Sequence, residues 1–256
     1  MGLADFSLRG KKALVTGGSK GIGRAIALAF AEAGADVAVA ARTVSELDMV
    51  EAELRAFGGR VVSIPADLRR PEDIDRLAKI TLDGLGGLDI LVNNAGLLGS
   101  GASAFEADRL TFDQLIGVNL FAPLRLAQCF RAALRSGDGG VIINIASIGA
   151  FKPLASTSIY WATKAALVSM TRSLAVEWSC DQIRCVAIAP GLVSTDMGSS
   201  YITKLKEAGI QRTLLGTYSE PRDVANLALF LASAAGRSAN ATTYVLDEGT
   251  LAMALP

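Results

Sequence analysis

Short apolar runs alternate with longer segments of helical periodicity along nearly the whole chain. Residues 12–16 (Lys12-Ala13-Leu14-Val15-Thr16), 37–41, 61–64, 88–92, 141–145, 183–189 and 243–246 are brief and mostly apolar without a polar position every second residue. Such runs predict strands buried on both faces, as in a parallel sheet covered by helices on each side. Between them, 24–33, 43–57, 71–82, 111–135, 158–178 and 221–233 read as helices. Thr43 and Glu46 are spaced as a capping box, Gly58-Gly59 closes that helix, and Pro71 suits a first turn. Pro123 predicts a kink inside 111–135, and 192–217 is too irregular to assign. Alternating strands and helices, with no linker, repeat or composition shift, predict one doubly wound α/β domain over 1–256.

Composition narrows the function classes. The 25 basic and 25 acidic side chains balance, so no charge excess points to nucleic acid or an anionic membrane. The longest apolar runs, such as 25–31, fall short of a membrane span, and the first twelve residues lack the apolar core of a secretory signal. A cytoplasmic location is expected. Cys129, Cys180 and Cys185 have no metal or redox spacing, and their apolar neighbours predict buried free thiols. There is no histidine. That excludes His-based triads and His-ligated metals, so no metal is expected and acid–base chemistry falls to Tyr, Lys, Asp or Glu.

The run 12–16 leads straight into Gly17-Gly18-Ser19-Lys20-Gly21-Ile22-Gly23 and then a helix. A strand, a glycine turn and a helix N-terminus gather backbone N–H groups where a pyrophosphate can sit, although this spacing is not G-x-G-x-x-G. About twenty residues on, a carboxylate would select NAD through the ribose 2′-hydroxyl, whereas an arginine accommodates a 2′-phosphate. The chain has Ala40-Ala41-Arg42-Thr43 there, with no acid before Glu46, and Lys20 adds a second cation. Both favour NADP(H) over NAD(H). Tyr160 and Lys164, four apart in a segment free of Gly and Pro, share a helix face. An ammonium beside a phenol is expected to lower the Tyr pKa from about 10, making Tyr160 a proton donor or acceptor near neutrality. Ser147 ends a strand-like run thirteen positions earlier and is a candidate to hold the same oxygen.

In this order the motifs resemble those of the short-chain dehydrogenase/reductase family over nearly the whole chain. Thr16-Gly17-x-x-x-Gly21-x-Gly23 resembles its cofactor loop, and Asn93-Asn94-Ala95-Gly96 its fourth-strand motif. Asn119, Ser147, Tyr160 and Lys164 resemble its catalytic tetrad. Pro190-Gly191-Leu192-Val193-x-Thr195 is similar to the segment that holds the nicotinamide carboxamide, and Asp67, followed by Leu68, stands where relatives contact adenine. The resemblance implies a Rossmann-type domain and hydride transfer between a nicotinamide and a carbonyl or alcohol carbon. On that pattern Ser147 holds the substrate oxygen and Tyr160 exchanges its proton. Lys164 tunes Tyr160 and binds ribose, while Asn119 supports a water chain to Lys164. Cofactor contacts are expected from Gly17, Ser19, Lys20, Gly21, Ile22, Gly23, Arg42, Asp67, Leu68, Asn94, Ala95, Gly96, Tyr160, Lys164, Pro190, Gly191, Val193 and Thr195. The resemblance also makes 192–217 a variable substrate loop and implies a homotetramer or homodimer. The chain departs from the pattern at Ala146-Ser147, Cys185-Val186, Asn240-Ala241-Thr242 and Asp247-Glu248-Gly249.

Residues expected to face substrate are Leu97, Leu98, Ile148, Gly149, Ala150, Ile159, Leu192 and part of 197–205. They are mostly apolar and include no obvious cation to grip a carboxylate or phosphate, which predicts a hydrophobic or alicyclic ketone or secondary alcohol. A second reading is reduction of a 3-oxoacyl thioester on a carrier protein; Asp138 and Asp181 would repel that acidic partner. A non-enzymatic dinucleotide sensor would show damage at Ser147, Tyr160 or Lys164, and all are present.

Overall fold

The computed structural model describes residues 3–99, 107–137, 139–154 and 157–253. The predicted strands form as β1 (Lys12–Thr16), β2 (Asp36–Ala41), β3 (Val61–Pro65), β4 (Ile90–Asn93), β5 (Val141–Ile145), β6 (Arg184–Pro190) and β7 (Thr243–Leu246). The helices are α1 (Gly21–Glu32), α2 (Val44–Arg55), α3 (Pro71–Leu85), α4 (Arg109–Ile116), α5 (Ala122–Leu134), α6 (Ser158–Glu177), α7 (Asp196–Glu207) and α8 (Pro221–Ala232). Among the described residues the strands form one sheet in the order β3-β2-β1-β4-β5-β6-β7, and each neighbouring pair is parallel. The chain winds outward from β1 to β3, then restarts on the other side of β1 with β4. A Rossmann-type sheet opens its ligand crevice outside the carboxyl ends of the strands, around that reversal.

Successive strand residues point to opposite faces, so each apolar run feeds two cores. Ala13, Val15, Val37 and Val39 bury against Ile26, Phe30, Leu47 and Val224 of α1, α2 and α8. Leu14, Ala38, Ala40 and Leu91 bury on the other face against Ile74, Leu77, Phe130 and Leu174 of α3, α5 and α6. Each of the larger side chains among them contributes roughly 1.5–3 kcal/mol on burial, which explains why neither face tolerates polar alternation.

Four expectations are corrected. The segment 111–135 is not one kinked helix. A π-helical turn, Gly117–Phe121, separates α4 from α5, and the Ala122 N–H bonds to the Gly117 carbonyl five residues back. Pro123 has no N–H to offer the carbonyl of Asn119, so the α-helical ladder breaks there and the wider turn replaces it. The capping box does not form either. Thr43 makes no side-chain cap, and Glu46 instead accepts from the Ser19 hydroxyl at 2.8 Å. The irregular stretch 192–217 contains a full helix, α7, capped by Thr195, whose hydroxyl accepts from Gly198 N at 3.3 Å. Finally, Cys185 is buried, but Cys129 is half-buried and Cys180 exposed, all as free thiols. No helix among the described residues is long and apolar enough to cross a membrane.

Candidate active site

The crevice is a cleft of about 800 Å³ running across the carboxyl ends of the strands. Its floor begins at the glycine loop. Gly17 adopts φ 63°, a conformation that side chains with a Cβ resist. Gly23 packs so closely that a Cβ there would overlap the Gly17 carbonyl and the Asn94 side chain. Asn94 fixes the loop from the neighbouring strand, donating from Nδ2 to the carbonyls of Thr16 (2.9 Å) and Gly17 (3.1 Å). The Thr16 hydroxyl in turn accepts from the N–H groups of Asn94 (3.0 Å) and Ala95 (3.1 Å). The β1 and β4 ends are thereby locked together, with Gly17, Ser19, Lys20, Gly21 and Ile22 of the loop lining the cleft.

At the β2 and β3 end the cleft is charged. Arg42 is exposed on its rim. Lys20 lies 3.5 Å from Glu46 and 3.8 Å from Asp196, so part of its charge is compensated. Asp67 accepts from Arg69 Nε at 2.9 Å, and this guanidinium holds its carboxyl below the usual range. Leu68, Ser19, Gly21 and Ile22 line the same end.

The other end is built from β5, α6 and the π turn. Ser147 caps a short turn, Ile148–Ala150, accepting from Gly149 N at 3.2 Å. Tyr160 and Lys164 stand one turn apart on α6, both lining the cleft. Lys164 is 4 % exposed, and its ammonium donates to the Ile145 carbonyl at 2.8 Å while lying 5.6 Å from the Tyr160 ring centre. Burial pushes the Tyr160 phenol up to about 12, against the pull of the Ser147 hydroxyl, and pushes the Lys164 ammonium down to about 8. The expected depression of the Tyr pKa by Lys164 is therefore not what this site produces. Desolvation of the phenol is the largest cause, only partly offset by the Ser147 hydroxyl, and the ammonium is engaged by the Ile145 carbonyl.

Asn119 lies behind the wall and not in it. From the π turn its Oδ1 accepts from Leu97 N (2.8 Å), and its Nδ2 donates to Leu97 O (2.9 Å) and Thr163 Oγ1 (3.1 Å). A Cβ on Gly96 would stand 3.5 Å from both Asn119 Oδ1 and Lys164 Nζ, so the two meet across Gly96. Asn93 has a scaffolding place: its Nδ2 donates to Asn144 Oδ1 at 2.8 Å, and Asn144 Nδ2 donates to Thr171 Oγ1 at 2.9 Å, tying β4, β5 and α6. Pro190, Gly191, Val193 and Thr195 line the cleft after β6. Among the described residues no cluster suits a metal ion.

Of the expected substrate-facing residues, Leu97, Leu98, Ile148, Gly149, Leu192 and Met197 line the cleft, while Ala150 and Ile159 do not. Helix α7 divides by face: Met197, Ser200 and Tyr201 line the cleft, and Ile202 and Leu205 are buried. Sequence reasoning missed Lys152, Trp161, Arg212 and Met253, which also line it. Trp161 packs edge-on to Tyr160 at 4.9 Å and covers Gly149 so closely that a Cβ there would overlap its ring. A glycine four positions after the end of β5 carries no local sign of that contact. Asp181 is only 12 % exposed and is held by Arg131 at 2.7 Å, so it is not a free negative charge; Asp138 lies outside the described residues.

A parallel sheet with this reversal, a glycine loop at its centre, and a Ser, Tyr and Lys at one end of one cleft defines a nicotinamide-dinucleotide oxidoreductase. Comparison with known proteins agrees. A family model described as Enoyl-(Acyl carrier protein) reductase matches residues 17–250. The chain is 34% identical over 232 residues to 7alpha-hydroxysteroid dehydrogenase of Escherichia coli (strain K12), covering 90% of each chain. It is 34% identical over 253 residues to 2-dehydro-3-deoxy-D-gluconate 5-dehydrogenase of the same organism, covering 98% of this chain and 99% of that one. Among solved structures, L-sorbose reductase from Gluconobacter frateurii, complexed with NADPH and L-sorbose, superposes with a TM-score of 0.91 at 34% identity, covering 98% and 100% of the chains. A 7 alpha-hydroxysteroid dehydrogenase complexed with NADH and 7-oxo glycochenodeoxycholic acid gives 0.92 at 32% identity, with 97% of each chain covered. The chain belongs to the short-chain dehydrogenase/reductase family. It is an oxidoreductase of alcohol and ketone substrates that uses NAD(P).

Proposed function

We propose that the protein is an NADP(H)-dependent reductase of hydrophobic or alicyclic ketones, run in either direction between ketone and secondary alcohol. The glycine loop and its N–H groups suit the pyrophosphate, Arg42 suits a 2′-phosphate, and Pro190, Gly191, Val193 and Thr195 suit the nicotinamide end. The cofactor supplies the hydride. Ser147 holds the substrate oxygen, and Tyr160, kept as a neutral phenol by burial, donates its proton as negative charge develops there. Lys164 holds the ribose side of the site, and Asn119 fixes the Leu97 backbone and faces Lys164 across Gly96. Asp67 and Leu68 border the adenine end, with the Asp67 carboxylate shared with Arg69.

The observation that carries the dinucleotide choice is Arg42: it is exposed on the rim and forms no salt bridge among the described residues, although Asp67, itself held by Arg69, lies near enough to feel its charge. Lys20 contributes less, because Glu46 and Asp196 stand against it. Relatives differ on this point, one solved with NADPH and another with NADH. The carrier-protein reading is less supported: the matching family model carries an acyl-carrier-protein reductase description, but the individual relatives above are named for a hydroxysteroid, a deoxy-gluconate and a sugar. Exposed Leu110, Phe112, Phe121 and Val176, on and beside α4 and α6, support a homo-oligomer built on those helices. The test is a spectrophotometric panel of ketones with NADPH and NADH in parallel, repeated on Arg42→Asp. NADPH is expected to support at least about tenfold higher kcat/KM than NADH, and the substitution to reverse that order. A native preference for NADH sinks the NADP(H) reading.

A further inference from the structure

We infer that Arg212 is a substrate-binding residue and that the ketone this cleft takes carries a carboxylate. The inference rests on the reading of the cleft as a ketone-reductase site, and it sharpens the substrate class.

Arg212 lines the cleft, and its Nε is buried from solvent without an acceptor. Among the described residues it makes no ion pair either. A buried guanidinium N–H left unpaired is unfavourable, so a shift of this side chain toward an acceptor that enters the cleft is favoured. The carboxylates of the cleft wall are already engaged by other groups, and so is Lys152. Glu46 accepts from Ser19, Asp67 from Arg69, and Asp196 lies beside Lys20. Lys152 donates to the carbonyls of Thr250 (3.3 Å) and Met253 (2.7 Å). The positive charge of Arg212 therefore stands uncompensated.

Its position decides which ligand it meets. The loop after α7 is stitched to the end of β7: Leu214 N donates to Glu248 O at 2.9 Å, and the Ser219 hydroxyl to Glu248 Oε1 at 3.2 Å. Arg42 follows β2, five strands away in the order β3-β2-β1-β4-β5-β6-β7. At about 4.8 Å per strand that is ~24 Å, too far for Arg212 and Arg42 to share one phosphate. Arg212 belongs instead to the end holding Ser147, Tyr160 and Trp161. A guanidinium fork matches a carboxylate in two parallel hydrogen bonds, and an otherwise apolar wall makes that contact directional. The apolar lining then receives the ring system of the substrate, and Arg212 its acidic end.

The test uses cyclic ketones, from single-ring to steroid-sized, each offered as the carboxylate and as its methyl ester. Binding to the full chain is measured by calorimetry with and without NADP⁺, for the native protein and for Arg212→Gln and Arg212→Lys. At least one pair is expected to bind about tenfold or more tighter as the carboxylate. Arg212→Gln abolishes that difference without weakening the ester, and Arg212→Lys keeps part of it. Thermal melts check that both variants fold. No carboxylate preference in any pair, or one that survives Arg212→Gln, overturns the assignment. Turnover of the same panel with NADPH reports separately: failure of every ketone counts against the reductase reading, while the calorimetry still decides Arg212.

Discussion

At neutral pH, burial leaves Tyr160 a protonated phenol and Lys164 a cation whose proton is lost near 8. The two groups thus respond to pH in different windows. The Lys164 charge is full well below about 8 and falls as pH rises through it, while the Tyr160 proton stays until about 12. kcat/KM for NADPH, which reports the free protein, is expected to drop on the alkaline side with an apparent pKa near 8. A flat profile to pH 10 would mean that the Lys164 charge is not needed. The sequence made the pair visible through its spacing of four, but it could not show the sign of the Tyr160 shift. That sign depends on how deeply α6 sinks and on the Ile145 carbonyl that engages the ammonium, and both are tertiary facts. Trp161 and Arg212 were silent for the same reason: neither belongs to a motif, and each acquires its place from segments far away in sequence.

Among the elements, the strands were legible because burial on both faces strips polar positions out of the whole run. Helix α7 was not, since only Ile202 and Leu205 of its residues are buried, too few to impose a period. A signal was nevertheless present: Thr195 before an acidic first turn, with Lys204 and Lys206 in the last turn, is the charge order a helix dipole favours. The π turn at Asn119 was half-legible, because Pro123 marks the place and the wider turn is the way the chain resolves it. The strand–loop–helix unit at β1 and α1 gives the sharpest test at this scale. Gly23→Ala is expected to lose about 1–3 kcal/mol of stability, because the added methyl overlaps the Gly17 carbonyl and Asn94 side chain. It should also weaken NADPH binding at least about tenfold, since the loop N–H groups must shift. Thermal melts and a fluorescence titration with NADPH read the two effects; unchanged binding would remove the loop from the cofactor site.

Across the whole molecule, the sheet order separates the chemistry of the cleft into two ends joined by one floor. The β2 and β3 ends carry Arg42, Lys20, Glu46 and Asp67, while the β5, β6 and β7 ends carry Ser147, Tyr160 and Arg212. The glycine loop and Asn94 lie between, at the reversal of strand order. On the proposed reading, a dinucleotide laid along that floor would bring its nicotinamide toward Tyr160, so that strand order sets the reaction geometry. The account stands most directly on the phenol oxygen of Tyr160. The decisive measurement is therefore single-turnover ketone reduction by Tyr160→Phe, with NADPH binding titrated on the same sample. The predicted result is a loss of about a hundredfold or more in rate, in the range of general-acid contributions, with the NADPH dissociation constant changed by less than about threefold. Reduction at the native rate by Tyr160→Phe would contradict it.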